Sequence, residues 1–413
     1  MSRLRRIAST LASALFDLLC AVVPRKRSLW VIGGNRGLRY ADNSMHFFRH
    51  CMGRKDVDVA WLAREASVVR QVRAEGGRAH LVGSLAGIWL GLRASWHVHD
   101  VSPSDTGPGA RSANRMNLWH GIPLKDIAFV RAGVMARRRA SRGSGRDYVV
   151  HPNRLVDPIL HAFDIGKDFV VTANLPRNCV FEPGYEPLRS AKVSDRPWVD
   201  RLMSLRSSGT RVIGYFPTWR GNGKDLFLGT ADAHDIQALG AFLAAKKLAL
   251  ATKWHTCSFR EYRHAGASKT AAAIDNAIRA HPAFVSLPFD VDLNSMLPAC
   301  DLLVTDYSSV FFDFALGDRP QLFLPYDLEH YVRSVGFVHD YASVVPGPIV
   351  RTIDAFRDEI DAYASDPVTY AARHAAARAS IRSTFFETRA SSRSIADFMA
   401  ALEPAPDRPG RHR

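Results

Sequence analysis

Short apolar runs recur along this chain with room for one helix between each pair, an alternation that restricts it to a parallel α/β architecture. Ser28-Leu-Trp-Val-Ile-Gly-Gly reads as a buried strand ending in a glycine turn. The segments 57–62, 78–82, 96–99, 147–150 and 169–172 repeat the strand pattern. A stretch rich in Pro, Ser and Arg, from about 184 to 208, reads as a linker, and a second α/β set follows at 211–216, 248–252, 283–286, 302–305 and 321–324. From Asp354 the pattern is helical almost to Leu402.

Two doubly wound halves are therefore expected, which suits 413 residues better than one core would. The boundaries read as 1–27 for an N-terminal helix, 28–195 and 196–385 for two Rossmann-like domains, and 386–413 for a C-terminal helix and a disordered tail. Ligands of open parallel sheets bind beyond the carboxyl ends of the strands, so residues just after strands are the ones to weigh.

Charge narrows the partners. Lys and Arg number 55 against 40 Asp and Glu, a net +15, which favours anionic ligands or surfaces. Leu4, Ile7, Leu11, Leu15, Leu18 and Val22 form an apolar stripe at helical spacing, with Arg3, Arg5 and Arg6 before it and Arg25, Lys26 and Arg27 after it. Such a helix suits the interface of an anionic membrane. Asp17 interrupts it as a secretory signal, and no apolar run reaches the roughly 20 residues a span requires. Five scattered cysteines suggest reduced thiols, not disulfides, and no zinc or other metal motif is present.

Four strand ends carry polar side chains. Asp306-Tyr-Ser-Ser follows an apolar strand and precedes an apolar helix, so Ser308 and Ser309 could offer a phosphate hydroxyl donors at a helix start, with Asp313 one turn further on. A simple N-cap would leave the same trace. Thr218, Trp219 and Arg220 follow another strand, and a guanidinium there matches diphosphate oxygens. Lys253 and His255 follow a third. His120 and Lys125 fall in Trp119-His-Gly-Ile-Pro-Leu-Lys, ahead of a Gly/Pro turn, and an imidazole so placed is a candidate base. The basic stretch holding Arg137, Arg138, Arg139 and Arg142 reads as a surface loop able to meet a polyanion or lipid head groups.

Taken together, Asp42-Asn-Ser, Trp119-His-Gly-Ile-Pro-Leu-Lys, Pro152-Asn-Arg, Leu175-Pro-Arg-Asn, Pro217-Thr-Trp-Arg, Lys253-Trp-His, Thr305-Asp-Tyr-Ser-Ser-Val, Tyr326-Asp-Leu-Glu-His-Tyr and Pro346-Gly-Pro-Ile-Val resemble, in order, the blocks of the CDP-glycerol:poly(glycerophosphate) glycerophosphotransferase family. The resemblance runs from about Trp30 to Ile395. It departs at Ile122, where the family has Thr, at Ser295, where it has Glu, and at Thr388, where it has Gly.

The resemblance implies a GT-B fold with the acceptor side N-terminal and the nucleotide side C-terminal. It implies a peripheral enzyme on the cytoplasmic face of the bacterial membrane that moves glycerol phosphate, or a similar polyol phosphate, from a CDP-activated donor to a lipid-linked acceptor, releasing CMP without a metal or other cofactor. His120 and His255 would be the catalytic pair. Thr218, Trp219, Arg220, Lys253, Asp306, Ser308, Ser309 and Asp313 would hold the donor, while Lys125 and the arginine stretch would meet acceptor or membrane. The main alternative is a GT-B glycosyltransferase using a nucleotide sugar. Nucleic-acid binding would suit the charge, but aromatics are not interleaved with the basic run. Donor, acceptor, oligomeric state and the choice between priming and polymerising stay open.

Overall fold

The computed structural model describes residues 18–20, 22–111, 113–126, 146–153, 169–218, 233–253, 276–386 and 392–402. They divide into two compact units. Unit 1 takes the described residues of 1–120, 128–179 and 388–413, and unit 2 those of 121–127 and 180–387.

Unit 1 is built on a parallel seven-stranded sheet: β1 (Lys26–Ile32), β2 (Asp58–Ala63), β3 (Ala79–Leu81), β4 (Ala94–His99), β5 (Asn114–Asn117), β6 (Asp147–His151) and β7 (Val170–Thr172). The spatial order is β3-β2-β1-β4-β5-β6-β7, a doubly wound arrangement whose strand order reverses between β1 and β4. In register, Trp30 lies beside Val59 on one neighbour and Trp96 on the other. Trp30, Trp61 and Trp96 pack with Phe47 and Phe48 of the helix Asp42–Met52 into one core. Leu29, Val31, Ala60, Leu62 and Ala94 pack on the opposite face. A parallel sheet covered on both sides needs apolar side chains at successive positions, which explains the unbroken runs in the sequence.

Unit 2 holds a five-stranded parallel sheet, β8 (Arg211–Tyr215), β9 (Leu248–Thr252), β10 (Phe284–Ser286), β11 (Leu302–Thr305) and β12 (Gln321–Phe323), ordered β10-β9-β8-β11-β12. The reversal here falls between β8 and β11. Val212 and Leu303 face one core, whereas Ile213, Leu302 and Val304 face the other.

Several expectations need adjustment. The 184–208 segment is not a linker: it contains the helices Pro187–Ser190 and Arg196–Ser207, and Ala191, Val199 and Leu202 are buried in unit 2. The boundary by packing accordingly falls at Cys179/Val180, ahead of the expected 195/196. The helix Ser392–Ala401 is no separate element, because Ile395, Ala396 and Met399 sit in the tryptophan core of unit 1. The first strand starts at Lys26, within the segment read as the N-terminal helix. Most of that helix, the arginine stretch and the C-terminal tail lie outside the described residues, although Leu18 and Val22, at the helix's end, are exposed. Among the described residues no helix is long and apolar enough to cross a membrane.

Candidate functional site

In unit 2 the polar residues collect at the carboxyl ends of three adjacent strands. Thr218 follows β8, Lys253 follows β9, and Asp306 to Ser309 follow β11, so the group brackets the point where the strand order reverses. Asp306 builds this edge. Its Oδ1 accepts the backbone N–H of Thr218 (2.8 Å) and of Tyr307 (2.6 Å), tying the two strand ends together. The Thr305 hydroxyl donates to the carbonyl of Phe216 (2.7 Å), adding a second tie between the same strands. From below, the Tyr341 hydroxyl donates to the Asp306 carbonyl (3.0 Å), and burial pushes that phenol far up. Tyr307 stacks on Tyr331 at 3.9 Å between ring centres and donates its hydroxyl to Asp327 Oδ1 (2.8 Å).

Ser308 and Ser309 are half-buried on this edge. Ser309 is the N-cap of the helix Val310–Ala315 but makes no side-chain capping bond, so its hydroxyl is not spent on the helix end. That helix has six residues, which leaves little macrodipole. Any anion here would rely on hydroxyl and N–H donors. Asp313 is fully buried within that helix, and Thr218 is also buried. Trp219, Arg220 and His255 lie outside the described residues, as do Arg137, Arg138, Arg139 and Arg142.

In unit 1, β5 is followed by Leu118-Trp119-His120. Trp119 takes a left-handed conformation (φ 58°) and Gly121 lies at φ 136°, a value that a side chain would strain. The Asn117 side chain accepts the Trp119 N–H (2.9 Å), and the Trp119 ring lies 4.5 Å from the imidazole of His120, which is exposed. Two other sequence blocks close on this turn. Asn43, from Asp42-Asn-Ser, donates its side-chain amide to the Trp119 carbonyl (2.8 Å) and accepts the Arg177 N–H (3.1 Å). Arg177, from Leu175-Pro-Arg-Asn, donates Nη1 to the His120 carbonyl (3.0 Å) and to Asp42 Oδ1 (3.0 Å). Neither Asn43 nor Arg177 was marked by strand-end reasoning. Their only signal in the sequence was membership of the ordered blocks.

Asp100, at the end of β4, accepts the Asn35 N–H (2.9 Å); burial, then the charges of Asp42 and Asp105, hold its carboxyl well above the usual carboxylate range. Lys125 belongs to unit 2: it pairs with Phe337 in a short antiparallel bridge, and its ammonium lies 5.8 Å from the centre of the Tyr331 ring. Two departures from the family pattern have local packing reasons. Ile122 is buried in the unit 2 core among apolar side chains. Ser295 donates its hydroxyl to Asp292 Oδ2 (2.7 Å), which also accepts its N–H (3.1 Å), so the position serves a helix start.

Two doubly wound parallel units, each presenting polar side chains beyond its strand ends, define an α/β protein of the kind that binds ligands at those ends. The chain belongs to the CDP-glycerol:poly(glycerophosphate) glycerophosphotransferase family, whose model matches residues 18–399. It is 26% identical over 343 residues to the teichoic acid glycerol-phosphate transferase of Staphylococcus aureus (strain NCTC 8325 / PS 47), covering 78% of this chain and 81% of that protein. It is 28% identical over 260 residues to the ribitol-phosphate polymerase TarL of the same strain, covering 61% of this chain but only 42% of that longer protein. The solved wall teichoic acid polymerase TagF shares the fold, with a TM-score of 0.70 at 21% identity, over 96% of this chain and 95% of that one.

Proposed function

We propose that the chain transfers glycerol phosphate, or a similar polyol phosphate, from a CDP-activated donor to a hydroxyl of a lipid-linked acceptor in the synthesis of a teichoic-acid-like or capsule polymer. The observation that carries this reading is the Thr218–Asp306 tie, which aligns Thr218, Ser308 and Ser309 at the strand-order reversal of unit 2, in a member of a CDP-glycerol transferase family. In this proposal the units are the two domains of a GT-B enzyme, with unit 2 taking the donor and unit 1 the acceptor. Thr218, Trp219, Arg220, Lys253, Ser308 and Ser309 hold the donor diphosphate. Asp306 and Asp313, both buried, support the edge from within.

The acceptor oxygen attacks the β-phosphorus in line. His120 removes its proton, the new O–P bond forms, and the bond to CMP breaks. His255, with Lys253 and Arg220, balances charge on the phosphoryl oxygens. Positioning and charge stabilisation supply most of the rate in such transfers. The basic stretch around Arg137, Arg138, Arg139 and Arg142, the N-terminal apolar stripe and Lys125 are the proposed contacts with acceptor and anionic membrane, placing the enzyme at the cytoplasmic face.

Purified enzyme incubated with CDP-glycerol or CDP-ribitol and a lipid-linked acceptor should release CMP in step with acceptor growth. Release of a nucleoside diphosphate from a nucleotide sugar, with no CMP from either CDP-polyol, would replace this reading with a glycosyltransferase.

A further inference from the structure

We infer that Asn43 and Arg177 form a brace that sets the backbone of the Trp119–His120 turn and so aims the His120 imidazole. They are positioning residues, not groups that touch substrate. The inference rests on His120 as the base in the proposed reaction for its effect on turnover, but its effect on His120 itself can be measured without turnover.

The turn needs holding. Trp119 is a bulky residue at positive φ, an unfavourable conformation that persists only where its surroundings fix it. Three consecutive peptide carbonyls there meet the brace. The Asn43 amide reaches Leu118 (3.4 Å) and Trp119 (2.8 Å), and Arg177 Nη1 reaches His120 (3.0 Å). The brace is itself fixed. Asn43 is wholly buried and accepts the Arg177 N–H (3.1 Å), so the two side chains are coupled through the backbone of the second. The Arg177 side chain is only 7% exposed and is pinned by Asp42 Oδ1 at 3.0 Å, an oxygen that also accepts the Asn43 N–H (2.7 Å). Buried charge-assisted bonds of this kind are short and directional, and they restrict the peptide they grip. His120 is exposed and its ring contacts Trp119; the peptide that Arg177 holds sets where its side chain leaves the backbone, and so bears on the aim of the imidazole. Both gripped segments also stand where the chain leaves unit 1, at His120/Gly121 and Cys179/Val180.

Three variants test this in the full-length protein: Arg177→Ala, Arg177→Lys and Asn43→Ala. Carbethoxylation of His120 by diethyl pyrocarbonate, followed across pH by mass spectrometry, reports the imidazole directly. The expected result is a shifted rate and pH midpoint for His120 in Arg177→Ala and Asn43→Ala, with circular dichroism unchanged. Turnover should fall by about 100-fold, because a displacement of about 1 Å at a reacting group has that effect, while KM for CDP-glycerol stays within about twofold. Arg177→Lys, with its charge on a shorter stem, should be intermediate, and methylguanidine should partly restore Arg177→Ala. If Arg177→Ala does not fold, the lysine and Asn43 variants carry the same readout. A labelling curve for His120 that superposes on wild type in every folded variant overturns the brace. If labelling shifts while turnover of these variants and of His120→Ala is undiminished, the brace stands and the base assignment falls.

Discussion

Asp306 and Asp105 are buried carboxylates with different consequences. Asp306 accepts two backbone N–H groups, of Thr218 and Tyr307, that sit at the candidate donor edge. Asp306→Ala strands both donors in the interior, at about 1–3 kcal/mol each, and frees the Thr218 loop. The expected outcome is a clear fall in melting temperature with a raised KM for CDP-glycerol. Asp306→Asn keeps a carbonyl oxygen in place and should be much milder on both counts. A substrate- or metal-binding carboxylate would behave otherwise: Asn would then be as harmful as Ala to turnover, with little change in melting temperature. Asp105 accepts N–H groups of Ser102 (3.2 Å) and Val101 (3.4 Å), yet burial dominates and pushes its carboxyl up to about 6. A carboxyl raised in the folded state favours the protonated, folded form. Its ionisation therefore removes stability as pH rises from the ordinary aspartate value near 4 to about 6, and the loss is complete above that. Relative to Asp105→Asn, wild type should lose on the order of 3 kcal/mol across that window. Parallel urea titrations of the two proteins at pH 4 and pH 7.5 measure it. An equal gap at both values would show that the buried charge is compensated.

At the scale of elements, what the sequence disclosed depended on how each strand or helix satisfies its polar groups. Strands that bury apolar side chains on both faces are legible as runs, and eleven of the twelve among the described residues are read from them. β5 is not, because Asn-Arg-Met-Asn looks like loop. It is wholly buried only because Arg115 pairs with Asp147 (2.6 Å) across to β6 and Asn114 accepts the Arg146 N–H (3.3 Å). Such compensation lies some thirty residues away in the chain and leaves no local mark. The prolines of 184–208 misled for a related reason. Pro187 and Pro197 stand in the first turns of helices, where a missing N–H has no consequence, so they start structure there. The final helix carries its own evidence of docking. Met399 accepts the indole N–H of Trp96 (3.2 Å), Ala400 accepts from Arg27 (3.3 Å), and Ile395 is fully buried beside the sheet. Ile395→Ala should therefore destabilise unit 1 by about 2–5 kcal/mol, as core truncations do. A loss below about 0.5 kcal/mol in denaturant melts would mean that the helix lies on the surface and is dispensable to unit 1.

For the whole molecule, the order of blocks pointed to the candidate site residues, but packing alone revealed which part of the chain each described one belongs to. The strand ends that carry Thr218, Lys253 and Ser308 could be picked out because hydroxyl and basic side chains follow apolar runs. The Asn43–Arg177 brace could not, since its bonds join positions 134, 76 and 57 residues apart. The same long-range logic sets the limits of unit 2. Ile122 and Leu124 complete its core, and the Val338 N–H donates to the Leu124 carbonyl (2.9 Å), so a short stretch following His120 is a working part of a unit that otherwise begins at Val180. Upstream of the expected boundary at 196, Phe181 packs on Phe314, Ala191 is buried, and Lys192 and Asp195 are joined at 3.5 Å, with Asp195 accepting the Asp292 N–H (2.8 Å). A fragment cut at 196–385 removes all of these, exposes apolar core and leaves the Asp292 donor unmet. A fragment of 180–387 keeps them and lacks only the 121–127 stretch. The shorter piece should be largely unfolded or aggregated. The longer one should melt cooperatively, at a temperature that a synthetic peptide spanning 119–127 raises as its concentration grows, since a ligand selective for the folded form stabilises it by mass action. Equal stability of the two fragments, or a melting temperature indifferent to the peptide, would mean that unit 2 is complete within 196–385.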